Sequence, residues 1–395
     1  MNINDLLKLA VERNASDLHL KVGSHPMARI DGGLMPMPEL KRLMQEDTIS
    51  MAYSIMNAKQ KQRFKEELDL DLAYSVPGLG RFRCNIFQQR GVVGMVMRVI
   101  PSRIKTIREL MLPQVLERVA EERRGMILCT GTTSSGKSTT LASIMDHINA
   151  NRNEHIITIE DPIEFLHRDK KSLVNQREID VDTRSFSSAL RAAMRQDPDV
   201  VLVGEMRDFE TIETALHAAE TGHLVFSTLH TLDATETINR IISVFPPHHQ
   251  KQIRIQLAQV LKATISLRLV PRADGMGRVP ATEVMIATPY IRDCIENKEK
   301  TKFIREQIAL GISQYGMQTF DQSLFYLTKG GLITVEEALK RATNPDEFKL
   351  RLQGVQFTSD EALEQMEGNM GIVGHDDDLM GDDNLFSTDD VERFG

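Results

Sequence analysis

The feature that most constrains this chain is an eight-residue loop, Gly131-Thr132-Thr133-Ser134-Ser135-Gly136-Lys137-Ser138. It lies between an apolar run, Met126 to Cys129, and a helical stretch beginning near Thr139. The pattern GxxxxGK[ST] in a strand–loop–helix context is a phosphate cradle: glycines let the backbone wrap closely, and the loop N–H groups and helix N-terminus supply partial positive charge. Lys137 reaches β- and γ-phosphate oxygens, and the Ser138 hydroxyl can ligate Mg²⁺. The candidate nucleotide ligands are therefore Gly131, Thr132, Thr133, Ser134, Ser135, Gly136, Lys137, Ser138 and the following Thr139. Further short apolar runs, Ile156 to Ile159, Val200 to Val203 and Leu224 to Phe226, alternate with helical periods. Such repetition predicts a parallel sheet with helices on both faces, an α/β arrangement.

A chain of 395 residues exceeds one ordinary domain, and the texture upstream of the loop is different. Leu6, Leu7, Ala10 and Val11 share a helical face over residues 2–14. Leu18, Leu20 and Val22 alternate with polar residues, and Ala28 to Ile30 leads into Asp31-Gly32-Gly33, a hairpin signal. Arg81 to Arg90 alternates again, and Val92 to Ile100 is largely apolar. Residues 1–100 read as a small α+β domain, 101–112 as a linker with a helical pattern starting near Ile107, and 113–357 as the α/β domain with a helical C-terminal region. Thr319 with Gln322, Thr334 with Glu337, and Asn344 followed by Pro345 and Glu347 are helix-start signals, with Gly330 suited to end the helix begun at Thr319.

Composition narrows the class. Lys and Arg total 48 against 56 Asp and Glu, but twelve acids and one base lie from Asp360 onward, so the body carries about +3. Residues 358–395 read as an acidic disordered tail, with an interaction tail as the alternative. A near-neutral body argues against a nucleic-acid partner. No apolar run reaches the roughly eighteen residues a spanning helix needs, and residues 1–14 lack a secretory pattern, so a cytoplasmic chain is expected. Cys84, Cys129 and Cys294 are far apart and form no CxxC pair; free thiols are expected.

Several charged groups have both a functional and a bland reading. Asp199 to Glu205 is an apolar strand ending in a carboxylate, the Walker B pattern that places Glu205 beside the metal and the attacking water. Glu160-Asp161-Pro162-Ile163-Glu164 follows another apolar run, as a site segment or a solvated acidic loop. His223 and His230 bracket the run Leu224 to Thr228, as phosphate sensors or satisfied polar residues. Arg81 and Arg83 share a strand face, with Arg98 on a nearby strand. They are either solvated charges or arginines that stabilise charge developing on a γ-phosphate.

Taken together, these residues resemble the type IV pilus retraction ATPases, the PilT family of secretion-superfamily hexameric motors. The resemblance spans about residues 3–357 and rests on Ala15-Ser16-Asp17-Leu18-His19, Gly80-Arg81-Phe82-Arg83 with Arg98, the loop, and the acidic box Ile159 to Phe165. It continues through Gly204-Glu205, the His box from Ala219 to His223 and Ser227 to Thr231, and Gly316 to Gln322. It implies a PAS-like N-terminal domain followed by a RecA-like P-loop ATPase domain, assembled as a homo-hexamer that binds ATP and Mg²⁺. It also implies pilus retraction and twitching motility through an inner-membrane platform protein of the PilC type, at the cytoplasmic face of the inner membrane. Glu205, Glu164, Arg81, Arg83, Arg98 and His230 take catalytic roles, Ser138, Glu164 and Glu205 hold the metal directly or through water, and His223 senses phosphate. Where the family often reads Ala-Ile-Arg-Asn-Leu, this chain has Tyr290-Ile291-Arg292-Asp293-Cys294. The departure keeps open an accessory role of the PilU type, docked to a paralogous retraction ATPase.

Overall fold

A computed structural model describes residues 2–30, 32–101 and 103–354; the acidic tail lies outside them. The chain divides into two compact units. One contains the residues up to Arg103 with Glu164–Leu166, and the other Ile104–Ile163 with the described residues from His167.

The first unit is built on a six-stranded sheet in the order β3-β2-β1-β6-β5-β4. Its strands are β1 (Asp17–Leu20), β2 (Met27–Ile30), β3 (Gly33–Pro36), β4 (Asp69–Val76), β5 (Gly80–Gln89) and β6 (Val92–Ile100). All its pairings are antiparallel. Alternation decides its faces: Leu18, Leu20, Phe82, Cys84, Met95 and Met97 are buried in one cluster with Leu6, Leu7 and Ala10 of the amphipathic helix Ile3–Glu12. Their neighbours in sequence point to the other face. There the register aligns Arg29, Asp17, Arg98 and Arg83 in one row across four strands, with Arg81 two residues along β5.

The second unit carries a seven-stranded sheet, β13-β12-β7-β11-β10-β8-β9. Its strands are β7 (Gly125–Thr130), β8 (His155–Glu160), β9 (Leu173–Glu178), β10 (Val200–Val203), β11 (Leu224–Leu229), β12 (Leu261–Pro271) and β13 (Arg278–Ile286). Six strands run parallel and β13 closes the edge antiparallel. Helices cover both faces, so successive residues of β7 enter two cores: Met126 and Leu128 join Ile212, Ile238 and Leu257, while Ile127 and Cys129 join Leu116, Ile144 and Ile148. The far ends of β12 and β13 contribute Val270, Val279 and Ala281 to a third cluster, with Phe320, Leu324 and Phe348 of the C-terminal helices.

One local expectation is corrected. No helix starts at Ile107. Residues 106–111 form a single turn held by reciprocal Thr106–Glu109 hydrogen bonds, Met111 turns to φ 55°, and helix resumes at Val115–Ala120 after Pro113. The helix from Thr319 does end at Gly330, its C-cap, and the left-handed residue is the next one, Gly331. Leu332 N–H donates to Leu327 O and Gly331 N–H to Thr328 O, a Schellman closure. The Thr319–Gln322 capping box is present. All three cysteines are buried free thiols. Among the described residues, no helix is long and apolar enough to cross a membrane.

Candidate active site

The register of the parallel sheet fixes what can meet. Thr130 pairs with Leu229, so Gly131 and His230 leave the sheet side by side. Val203 pairs with Ser227, so Glu205 emerges at the same level from the next strand. All three lie at the carboxyl ends of parallel strands, where open α/β sheets bind ligands.

Gly131 has φ 141°, and a Cβ there would meet Ser135 Oγ at 2.5 Å and Leu267 O at 2.6 Å, so the turn needs glycine. Ser134 and Gly136 also adopt positive φ, and Gly136 opens the helix Lys137–Asn151, whose first turn holds no acidic residue. Its positive end is thus uncompensated by local charge. Lys137, 9% exposed, donates from Nζ to Gly131 O at 2.8 Å and to Thr132 O at 2.9 Å, which keeps the ammonium inside the loop. The buried Ser135 Oγ has no hydrogen-bond partner. Beside the loop opens a cavity of about 380 Å³, lined among others by Gly136, Thr139, Thr140, Leu269 and Arg272.

Glu205 is held from two sides. Gly204 N–H donates to Ile159 O at 2.7 Å, while Thr228 Oγ1 donates to Gly204 O at 2.7 Å and Ser227 Oγ to Val203 O. These hydroxyls, polar interruptions in an apolar strand, tie the bend before Glu205 to β11. The carboxylate meets Arg207 Nε at 2.7 Å and His230 Nε2 at 3.1 Å. Burial alone would raise its pKa, but the Arg207 hydrogen bond and the neighbouring His230 outweigh burial and hold it below the ordinary carboxylate value. Glu205 is therefore ionised at neutral pH, as a group that orients water or a metal must be.

The other sequence candidates divide. Glu160 is engaged by Thr158 Oγ1 at 2.6 Å and by Gln176 Nε2 at 3.1 Å, and Asp161 is exposed within electrostatic range of Arg207. Glu164 is exposed and belongs to the short stretch grouped with the first unit. Arg83 and Arg98 are exposed on the first unit's polar face with Arg81 half-buried beside them, and Arg98 Nε contacts Asp17 Oδ1 at 2.9 Å. His223 is not part of the site. It precedes β11, whose Leu224 pairs with Gly125, and six residues at about 3.3 Å each put it roughly 20 Å from the loop end of the sheet. Its Nδ1 lies 3.0 Å from Ala218 O, an ordinary helix-end contact. Arg207 is the site residue that sequence reasoning missed; its one signal is its position two residues beyond Glu205.

Mg²⁺ fits this donor set. Ser138 and Glu205 offer one hydroxyl and one carboxylate, and no cluster of three or more His, Cys, Asp or Glu able to hold a metal occurs among the described residues. A cation that keeps waters and shares phosphate oxygens needs no more.

Comparison with known proteins agrees with this geometry. Residues 1–308 match the type II/IV secretion system protein family. The type IV pilus retraction ATPase PilT of Pseudomonas aeruginosa is 48% identical over 348 residues, which cover 88% of this chain and all of that protein. The type IV pilus ATPase PilU of the same organism is 38% identical over 381 residues, covering 96% of this chain and 99% of PilU. A crystal structure of the pilus retraction motor PilT with bound ADP superposes with a TM-score of 0.82 at 47% identity, covering 88% of this chain and 98% of that one.

Proposed function

The chain belongs to the PilT family of type II/IV secretion system ATPases, and from that premise we propose that it is an ATP-hydrolysing motor for type IV pilus retraction. The observation that carries the reading is the convergence of the Gly131–Ser138 loop, Glu205 and His230 at one end of a parallel sheet. Lys137 exchanges its two loop carbonyls for β- and γ-phosphate oxygens, and the loop N–H groups and the helix start share the remaining charge. Base and ribose occupy the cavity beside Thr139. Ser138 and Glu205 would hold Mg²⁺ directly or through water, with Glu164 as the further candidate ligand, and the bound ion would neutralise charge on the phosphates. Glu205 orients the attacking water, with His230 and Arg207 keeping it ionised and in place. Arg81, Arg83 and Arg98 supply the charge that stabilises the γ-phosphoryl group in transfer.

In the same reading, residues 1–100 form a PAS-like domain, 101–112 a linker and 113–357 a RecA-like domain, with the acidic residues 358–395 dispensable for turnover. The motor works as a homo-hexamer on a PilC-type platform protein at the cytoplasmic face of the inner membrane, without nucleic acid. The test is ATP turnover by the purified chain beside Glu205→Ala, with oligomer mass recorded on both. Brisk hydrolysis by a hexamer, lost in the variant, supports the motor; turnover unchanged in an assembled variant refutes the site.

A second reading has its own support. PilU aligns with 96% of this chain, and the helix Pro289–Glu296 displays Tyr290 and an Asp293 paired with Lys300. An accessory subunit docked to a partner motor would bind ATP, assemble and hydrolyse slowly, and would not restore retraction alone.

A further inference from the structure

Glu283 on β13 is a carboxylate that the proposed mechanism does not use. It is 5% exposed, lies opposite Ser266 on β12, and sits on the same face as Met285. Ser266 Oγ accepts from Thr130 Oγ1 at 2.9 Å, and Thr130 is the last residue before the phosphate loop. Glu283 Oε1 accepts the backbone N–H of Ala234 at 2.9 Å, at the first residue of the helix Ala234–Ser243. That helix begins four residues after His230.

The intervening loop has little freedom of its own. Leu232 N–H donates to Glu236 at 2.7 Å, Glu236 N–H to Asp233 at 2.7 Å, and the Thr231 and Thr237 hydroxyls bond to each other at 2.6 Å. Residues 231–233 are thus locked to the first helical turn, and that turn is pinned to the sheet by Glu283. Where the turn goes, His230 follows. The charges facing Glu283 are Asp233 ahead of this helix, Arg268 on β12 and Arg305 on the helix Ile304–Leu310. Asp321 of the helix Phe320–Lys329 pairs with Arg305. Arg268 is itself turned to Arg341 O and stacked over the Phe320 ring, and it makes no direct pair with the carboxylate.

We propose that Glu283 is a positioning residue for ATP hydrolysis, whose ionised carboxylate fixes the start of the helix Ala234–Ser243 and thereby holds His230 beside Glu205. The inference rests on the hydrolytic reading above. Burial, reinforced by Asp233 and opposed by the Ala234 hydrogen bond and the two arginines, raises the Glu283 pKa to about 7, so its charge comes and goes near neutrality. A carboxylate at a helix N-terminus binds it more tightly than the neutral acid does.

The test compares the full-length hexamer with Glu283→Gln and Glu283→Ala from pH 6 to 8. Turnover and hydrogen–deuterium exchange of residues 230–238 are followed together. Glu283→Ala should lower kcat about tenfold at pH 8 while KM for ATP stays within about twofold, since the phosphate loop is untouched. Glu283→Gln keeps an acceptor but not the charge. It should match the wild type at pH 6 and lack the wild-type rise toward pH 8. Exchange over 230–238 should quicken in Glu283→Ala with or without nucleotide. An assembled Glu283→Ala with wild-type kcat, a KM effect without a kcat effect, or a wild-type pH rise surviving in Glu283→Gln would each overturn the proposal while an active wild type left the hydrolytic reading standing. An inactive wild-type hexamer would remove both.

Discussion

The two units place charge in opposite ways. In the first, charge stands on a sheet face: Arg81, Arg83 and Arg98 alternate along their strands with buried residues such as Phe82, Cys84 and Met97. In the second, both sheet faces are covered by helices, and the groups of the candidate site emerge at strand ends and in the loops that leave them. A face tolerates substitution because only one side of each strand builds the core. A strand end does not, because Gly131, Gly204 and Thr228 set backbone position as well as chemistry.

That contrast ranks the consequences of mutation. Removing a strand-end group should cost most: Glu205→Ala is expected to lower turnover by about 10³-fold with the hexamer intact, measured as phosphate release. Next comes the sheet face. Arg83→Ala should lower kcat by about 10²-fold while ADP affinity, read by calorimetry, and the melting temperature stay near wild type. A large loss of stability in Arg83→Ala would break the comparison, because it would show the arginine face to be part of the core's support.

Strand ends and faces also differ in how well they can be read from a sequence. The phosphate loop is legible because strand, loop and helix start are contiguous, and two of its three left-handed backbone angles fall on the glycines the motif names, Gly131 and Gly136, with Ser134 the exception. Arg81, Arg83 and Arg98 are legible because period-two alternation puts them on one side. Strands β9, β12 and β13 are not, since they mix charged and hydroxyl residues with apolar ones: Lys262, Thr264, Ser266 and Arg268 interrupt β12, and the reason appears only where Thr130 and Glu283 pack beside them. His223 misleads for a simple reason. Two histidines bracketing a six-residue strand must sit at opposite ends of it, and only one end carries the loop. Arg207 reads as a solvated charge because its partner, Glu205, is fixed by pairing with β11 and not by anything between residues 205 and 207.

Asp17 in the first unit and Glu283 in the second are both buried near charged groups, and their pH behaviour should have opposite sign. Glu283 has its folded pKa raised to about 7, above the ordinary glutamate value. Below the unfolded pKa both states are protonated and stability is full. As pH rises toward 7 the unfolded chain ionises first and stability is lost. Glu283→Gln should therefore be more stable than wild type at pH 8, by on the order of 2 kcal/mol, with the gain shrinking by pH 5. Thermal midpoints at the two pH values measure it, and a gain that is constant with pH would contradict the sign. With the turnover loss argued above, this makes Glu283 a residue that costs stability for the sake of the site.

Asp17 is the counterpart in the first unit, and the smallest effect. Burial pushes its pKa up, but the Ser16 hydroxyl and the Arg98 guanidinium together outweigh burial and leave it below the ordinary aspartate value. Its stabilising contribution is present above the unfolded pKa and disappears as pH falls through the lower folded value. Since Arg98 is 68% exposed, solvent screening limits the pair to about 1 kcal/mol or less. Asp17→Asn should thus lower the urea midpoint slightly at pH 7, and the difference should close toward pH 3. A larger loss at pH 7 would mean that Asp17 holds the whole arginine row in register; Arg83→Ala and Asp17→Asn should then be non-additive in kcat, a coupling that strand-end variants of the second unit would not share.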